Sequence, residues 1–194
     1  MNPLLLKIIY GVFMIGTFII RYPHEKRNKS NTIHTDQKTT TEKIVLFIVF
    51  IGMMLIPLLF IFTSVLSFAD YTLPFWLQIT GIALIAPTLW LFYRSHKDLG
   101  KNWSVTLEIR EEHTIVDSGV YTHIRHPMYS AIWLWTVIQA LLLHNYIAGL
   151  AGLISFGILY FSRVYQEEKM MLDEFGDSYL NYKKKTKRII PFVF

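Results

Sequence analysis

Residues 44–68 read IVLFIVFIGMMLIPLLFIFTSVLSF, twenty-five positions without a single charged side chain. A hydrocarbon core about 30 Å thick needs roughly 20 apolar residues in a helix to cross it, and this run is long enough. Residues 3–20 and 73–92 are runs of the same kind, interrupted only by Lys7, Gln78 and small polar groups. A further apolar region, 128–161, is split by His144 and Asn145 into two pieces, 128–143 and 146–161. The pattern predicts an all-α integral membrane protein of about five transmembrane helices, in a single membrane domain spanning 1–194. Composition agrees: 53% of the 194 residues are hydrophobic and only 17% charged, against about a quarter charged in soluble domains.

The basic residues then predict the orientation. Segments 21–43, 94–125 and 163–188 hold six, five and seven Lys and Arg, eighteen of the nineteen, while the connections at 67–72 and 144–145 hold none. Short basic loops stay in the cytosol, so the expected topology puts the N-terminus outside and the C-terminus inside. Of fourteen acidic residues only Asp70 falls on the outer side. The ionisable groups are gathered on the cytosolic face, which is where chemistry is expected, in 94–127 and 163–194.

Several classes are excluded on the same residues. The sequence pI of about 9.3 is what anionic lipid headgroups and topology already require, so no nucleic acid is called for. There is no cysteine, hence no disulfide, thiol nucleophile or thiolate metal site. His123 and His126 are spaced i, i+3, but Pro127 interrupts a helix through the pair and no HExxH motif is present, so no metal is expected. The end of the first span, IIRYPHEK, lacks a small-residue cleavage site, and the span is expected to be retained.

Taken in order, span one leads into a polar loop over 21–43, read as solvated and without a usable motif. Pro57 and Pro87 lie inside spans two and three, where a missing N–H and a ring clash predict kinks, and Gln78 is a candidate for a bond between helices. Gly100 ends the helical pattern after span three. In KNWSVTLEIREEHTIVDSGVY (101–121), alternation at 105–109 and the β-branched pair Ile115 and Val116 predict short extended pieces. Gly119 permits a turn or a close approach that a Cβ would block.

Residues 113–129, HTIVDSGVYTHIRHPMY, concentrate rings, a fixed Pro127 and Arg125 just before span four. Linkers are rich in Ser, Gly, Glu and Lys instead, although a belt of interfacial aromatics would also use these residues. Pro127 suits the first turn of a helix. The two 16-residue pieces that follow are short for a bilayer, which recesses their cytosolic ends to headgroup depth. The last span runs on as FSRVYQEEKMMLDEFG, with Gly176 as its expected C-cap. Arg163 and Glu167, i and i+4, share a helix face. The tail DSYLNYKKKTKRIIPF is read as a basic run on anionic lipid, with Tyr179 and Tyr182 as anchors.

These two polar blocks, HTIVDSGVYTHIRHPMY and RVYQEEKMMLDEFGDSYLNYKKKTKRIIPF, resemble the isoprenylcysteine carboxyl methyltransferase family and the related membrane phospholipid methyltransferases. The resemblance covers the C-terminal half. It implies an S-adenosylmethionine-dependent membrane enzyme with a cytosolic cofactor cap built from the loop before span four and from the C-terminal tail. It further implies cofactor contacts at His113, Thr114, Ile115, Val116, Tyr121, His126, Pro127, Met128, Tyr129 and Glu167, with Glu108 as a weaker candidate. Arg163 matches an arginine beside the methyl acceptor. The acceptor so implied is a prenylated, lipidic carboxylate entering from the bilayer. The alternatives are N-methylation of a phospholipid headgroup and a sterol-type reductase using NADPH, whose 2′-phosphate would lean on Arg125.

Overall fold

The computed structural model describes residues 1–28, 33–36, 39–104, 106, 108–110 and 114–191, with side chains of 27–28, 33–36 and 108–110 outside that description. The helices are α1 (Pro3–Asn28), α2 (Thr40–Phe50), α3 (Ile56–Phe62), α4 (Phe75–Ala83), α5 (Ile85–Leu99), α6 (Pro127–Leu143) and α7 (Tyr146–Lys185). Two short strands join them, β1 (Ile33–Asp36) and β2 (Glu108–Arg110). Among the described residues, four stretches are long and apolar enough to cross a membrane: Pro3–Lys26, Thr40–Phe62, Phe75–Asn102 and Tyr146–Lys185. The seventeen residues of α6 fall short of that length. Large apolar side chains such as Phe47, Phe62, Trp90 and Ile154 are exposed on the outside, as a lipid-facing surface requires.

The prolines act where the sequence placed them. A π-helical turn, Ile51–Leu55, separates α2 from α3, and Pro57 stands in the first turn of α3. The break between α4 and α5 comes at Leu84, three residues before Pro87. Gln139 of α6, fully buried, closes a polar network at these irregular points: its Nε2 donates to Gly52 O at 3.0 Å and to Ala148 O at 2.7 Å. Its Oε1 accepts from Tyr10 OH at 3.0 Å, and Tyr10 OH in turn accepts from Trp135 Nε1 at 3.2 Å. One amide therefore ties α1, the π turn, α6 and α7 together where water is excluded and an unmade bond is costly.

The turn from α6 into α7 takes two residues. His144 adopts a left-handed conformation with φ of 43°. Asn145 then caps α7, accepting from Ile147 N at 3.0 Å and Ala148 N at 2.9 Å, while its Nδ2 donates to Leu66 O and Asp70 Oδ1. Such a cap satisfies N–H groups that an apolar helix start would strand. At the other end α7 passes through Gly176, at φ 51° and ψ −126°, and continues to Lys185. The backbone at Gly176 is non-helical, so a first helix ends there, where a C-cap is expected, and a second runs on to Lys185.

β2 lies in the segment where short extended pieces are expected, whereas its partner β1 is a strand that was not expected. β1 and β2 pair antiparallel, with Thr35 opposite Ile109 and Asp36 opposite Glu108. The β-branched residues in both segments favour extended backbone, and the pairing ties the loop after α1 to the segment before Gly119. The loop read as solvated thus carries a strand.

Candidate functional site

The two polar blocks meet through their backbones. Arg125 N donates to Lys187 O at 2.8 Å, Lys187 N to His123 O at 3.0 Å and His126 N to Arg188 O at 3.0 Å, while Ser130 Oγ donates to Ile189 O at 2.5 Å. Beneath this stitch sits Glu168, whose side chain is 5% exposed. Arg188 grips it with both faces of its fork, Nε to Oε1 and Nη2 to Oε2, each at 3.1 Å. Arg125 Nη2 reaches Oε1 at 3.0 Å and Lys183 Nζ reaches Oε2 at 3.1 Å. A carboxylate buried among three cations is held in one place, and the bond to Glu168 raises the Arg188 pKa above its ordinary value. Arg125 is thereby engaged by Glu168 and by Thr186 O, which removes it from the phosphate role that a nicotinamide reading needed.

Glu167, the preceding residue, points about 100° away around the helix and enters a different environment. It lines a cavity of about 530 Å³ that also takes in Arg163, Tyr121, His126, Met128, Tyr129, Thr114, Ile115 and Val116. Tyr129 OH donates to Glu167 Oε2 at 2.5 Å, and His126 Nδ1 lies 3.7 Å from Oε1. The rings of His126 and Tyr129 stack at 5.3 Å with only 13° between planes. Arg163 Nε stands 3.9 Å from Glu167 Oε2, and its Nη1 stands 3.6 Å from Glu42 Oε1.

Local sequence explains this placing. Pro127 occupies the first turn of α6, with His126 before it; its fixed φ starts the helix there and aims Tyr129 across to α7. Pro127 itself is buried behind the wall rather than on it. Gly119 has φ of 60°, and a Cβ there would collide with Asp98 Oδ2. That same oxygen accepts from Val120 N at 3.0 Å, so only glycine lets the chain pass so close to α5. The turn delivers Tyr121, whose OH donates to Ser95 O at 3.2 Å. Burial pushes the Tyr121 hydroxyl well above its usual pKa, which keeps it a neutral donor.

Of the residues singled out from the sequence, His113 and the side chain of Glu108 lie outside the described residues. Thr114, Ile115, Val116, Tyr121, His126, Met128, Tyr129, Arg163 and Glu167 are brought to one cavity. Tyr179 and Tyr182, read as lipid anchors, are instead buried on its wall, and Tyr182 OH donates to Tyr121 O at 2.8 Å. Asn102 and Trp103 were passed over: Asn102 Nδ2 donates to Thr114 O at 2.9 Å and Trp103 Nε1 to Met128 Sδ at 3.2 Å. Glu42 was also passed over, because it falls in the 21–43 loop read as solvated and without a usable motif. Thr39 caps α2, accepting from Glu42 N at 3.1 Å, and the Glu42 carboxylate turns inward to Arg163.

A cavity of this kind, with ring faces, a carboxylate and an arginine on one side and an apolar remainder, suits a ligand that carries both cation and nucleoside polarity. Residues 79–173 match the profile of the isoprenylcysteine carboxyl methyltransferase (ICMT) family. That segment is similar to the family. It holds most of the cavity wall, from Phe92 to Met171.

Relatives of known name extend the likeness. The chain is 31% identical over 120 residues to protein-S-isoprenylcysteine O-methyltransferase of Homo sapiens, a stretch that is 61% of this chain and 42% of the human protein. Against isoform B of the same enzyme in Arabidopsis thaliana, identity is 26% over 163 residues, covering 83% of each. Its fold is similar to the solved structure of a eukaryotic intramembrane Ras methyltransferase of this family, with a TM-score of 0.54 and 25% identity over 79% of this chain and 52% of that one. The chain therefore spans less than half the length of the human relative. The likeness bears out an integral, multi-pass membrane protein with a helical fold.

Proposed function

We propose that this protein is an S-adenosylmethionine-dependent methyltransferase that methylates the carboxylate of a prenylcysteine-type acceptor. The observation that carries the reading is the meeting of Arg163 and Glu167 with Tyr121, His126 and Tyr129 in one cavity. The relatives' printed names support the same reaction.

The residues fit the cofactor by chemistry. Glu167, fixed by the Tyr129 hydroxyl, offers an anion to a sulfonium, and the stacked rings of His126 and Tyr129 offer π faces to a cation. Thr114, Ile115 and Val116 run without regular secondary structure along the cavity, and such backbone has N–H and C=O groups to give to a nucleoside. When bound, S-adenosylmethionine supplies a methyl group that a carboxylate oxygen can take in line, without a metal or a proton transfer. Arg163 would hold that carboxylate with a charge it never loses. Rate enhancement would then come from orientation and from exclusion of water by the buried wall.

An amine acceptor, as in phospholipid N-methylation, must lose a proton and has less use for Arg163, so the arginine favours a carboxylate. Phe18, Leu46, Val49 and Phe50 of α1 and α2 give the cavity an apolar side, suited to an isoprenoid chain arriving from the bilayer. The basic segments favour an orientation with the cavity toward the cytosol and the N-terminus outside.

The test is transfer of radiolabelled methyl to a panel of prenylcysteine and phospholipid acceptors in detergent. Wild type should label the prenylcysteine carboxylate, and the product should be a base-labile ester. Arg163→Ala and Glu167→Ala should each lower turnover by at least about 100-fold, the size expected when an orienting or charge-stabilising group is removed from a reaction site. Undiminished turnover in either variant would remove that residue's role.

A further inference from the structure

Glu42 is the first-turn acid of α2, and α2 carries no basic residue in its last turn and an apolar run in between. Its side chain is 7% exposed, and that of Arg163 is 11% exposed. A buried carboxylate needs a partner or a cost must be met elsewhere. Here the partner is the guanidinium proposed to receive the acceptor.

The geometry is informative. Glu42 Oε1 lies 3.6 Å from Arg163 Nη1, and Glu167 Oε2 lies 3.9 Å from Arg163 Nε. Charge-assisted bonds of full strength lie near 2.7–2.9 Å and, for arginine, are often forked; neither contact has that form. Arg163 stands between two carboxylates from two different helices, gripped tightly by neither. Of the other two arginines on the cavity wall, Arg21 has its own acid one turn along α1, Glu25 at 4.0 Å, and Arg125 is held by Glu168 at 3.0 Å.

We infer that Glu42 is a positioning and specificity residue for the methyl acceptor: it holds the Arg163 guanidinium toward α2, and an incoming acceptor carboxylate must bind against its charge. This inference rests on the carboxyl-methylation reading. Its physical content is a difference between ground and transition states. The acceptor arrives with a full negative charge beside Glu42 and leaves as a neutral ester. Repulsion from Glu42 therefore weakens binding of the acid most and fades as the ester forms, so it raises the ground state more than the transition state. The same repulsion speeds product formation relative to binding and leaves the ester unaffected.

The test measures equilibrium binding of N-acetyl-farnesylcysteine and of its methyl ester, at saturating S-adenosylhomocysteine, to wild type, Glu42→Gln and Glu42→Asp, with turnover read separately. Glu42→Gln should bind the free acid about 3- to 10-fold more tightly, the order expected from removing one partly screened charge, and the ester with unchanged affinity, while kcat falls. Glu42→Asp, which keeps the charge, should bind the acid as wild type does. Retained affinity for S-adenosylhomocysteine shows that the variants are folded. Equal or weaker binding of the acid by Glu42→Gln, or equal tightening toward acid and ester, overturns the assignment. If the acid tightens as expected but wild type transfers no methyl group, the methylation reading falls and control of Arg163 by Glu42 stands.

Discussion

Two adjacent glutamates divide the labour of the polar face. Glu167 looks into the cavity and holds the Tyr129 hydroxyl; Glu168 looks away and gathers Arg125, Lys183 and Arg188. Because the side chains of Glu168 and Arg125 are 5% and 7% exposed, removing the carboxylate strands the Arg125 guanidinium rather than freeing it. Glu168→Gln should cost about 3 kcal/mol or more, the range for breaking a buried ionic group by deleting one partner, read as a fall in the melting temperature in detergent. It should also weaken S-adenosylhomocysteine binding, since His126 hangs from the same stitch. Gly119 is the second sensitive position. Gly119→Ala forces a Cβ into Asp98 at a positive φ, for a cost of about 1–3 kcal/mol, and should loosen the turn that delivers Tyr121. A variant as stable as wild type in the same melting measurement would contradict that account of Gly119.

At the scale of elements, the apolar helices are joined by a few polar contacts, among them those of Gln139. Gln139→Leu removes donors to Gly52 O and Ala148 O and the acceptor of Tyr10 OH, and should destabilise by about 1–3 kcal/mol for groups left unsatisfied in an apolar interior. S-adenosylhomocysteine affinity should be unchanged, because Gln139 itself does not line the cavity. The elements themselves were legible wherever one signal ran uninterrupted. Residues 44–62 are helical as expected and Pro57 stands beside the disturbed turn, but the apolar run 63–68, read as part of the same span, leaves the helix at Thr63, whose backbone is extended. Thr114, Ile115, Val116, Tyr121, His126, Met128, Tyr129, Arg163 and Glu167 were gathered, along with His113, Pro127 and Glu108, by the family resemblance that the two polar blocks carry. What escaped the sequence was set by partners distant in the chain. Nothing local pairs Thr35 with Ile109, and nothing local aims the Glu42 carboxylate at Arg163 until α7 is in place. Tyr179 and Tyr182 look the same as membrane anchors until the bend at Gly176 turns them inward.

For the whole molecule, the apolar helices act as a frame that sets two polar segments against each other. Residues 123–126 and 187–189 are joined strand-like, although sixty residues separate them, and the cavity exists only while they are joined. Binding of a ligand across this closure must stabilise it by mass action, so S-adenosylhomocysteine should raise the melting temperature of wild type and do so less for Glu168→Gln. The measurement that bears most directly on the central claim is calorimetric titration of the detergent-solubilised protein with S-adenosylhomocysteine and, separately, with NADPH. The account predicts saturable binding of S-adenosylhomocysteine at one site, lost in Glu167→Ala, and no binding of NADPH. Absence of S-adenosylhomocysteine binding to the folded wild-type protein, or saturable NADPH binding in its place, would contradict it.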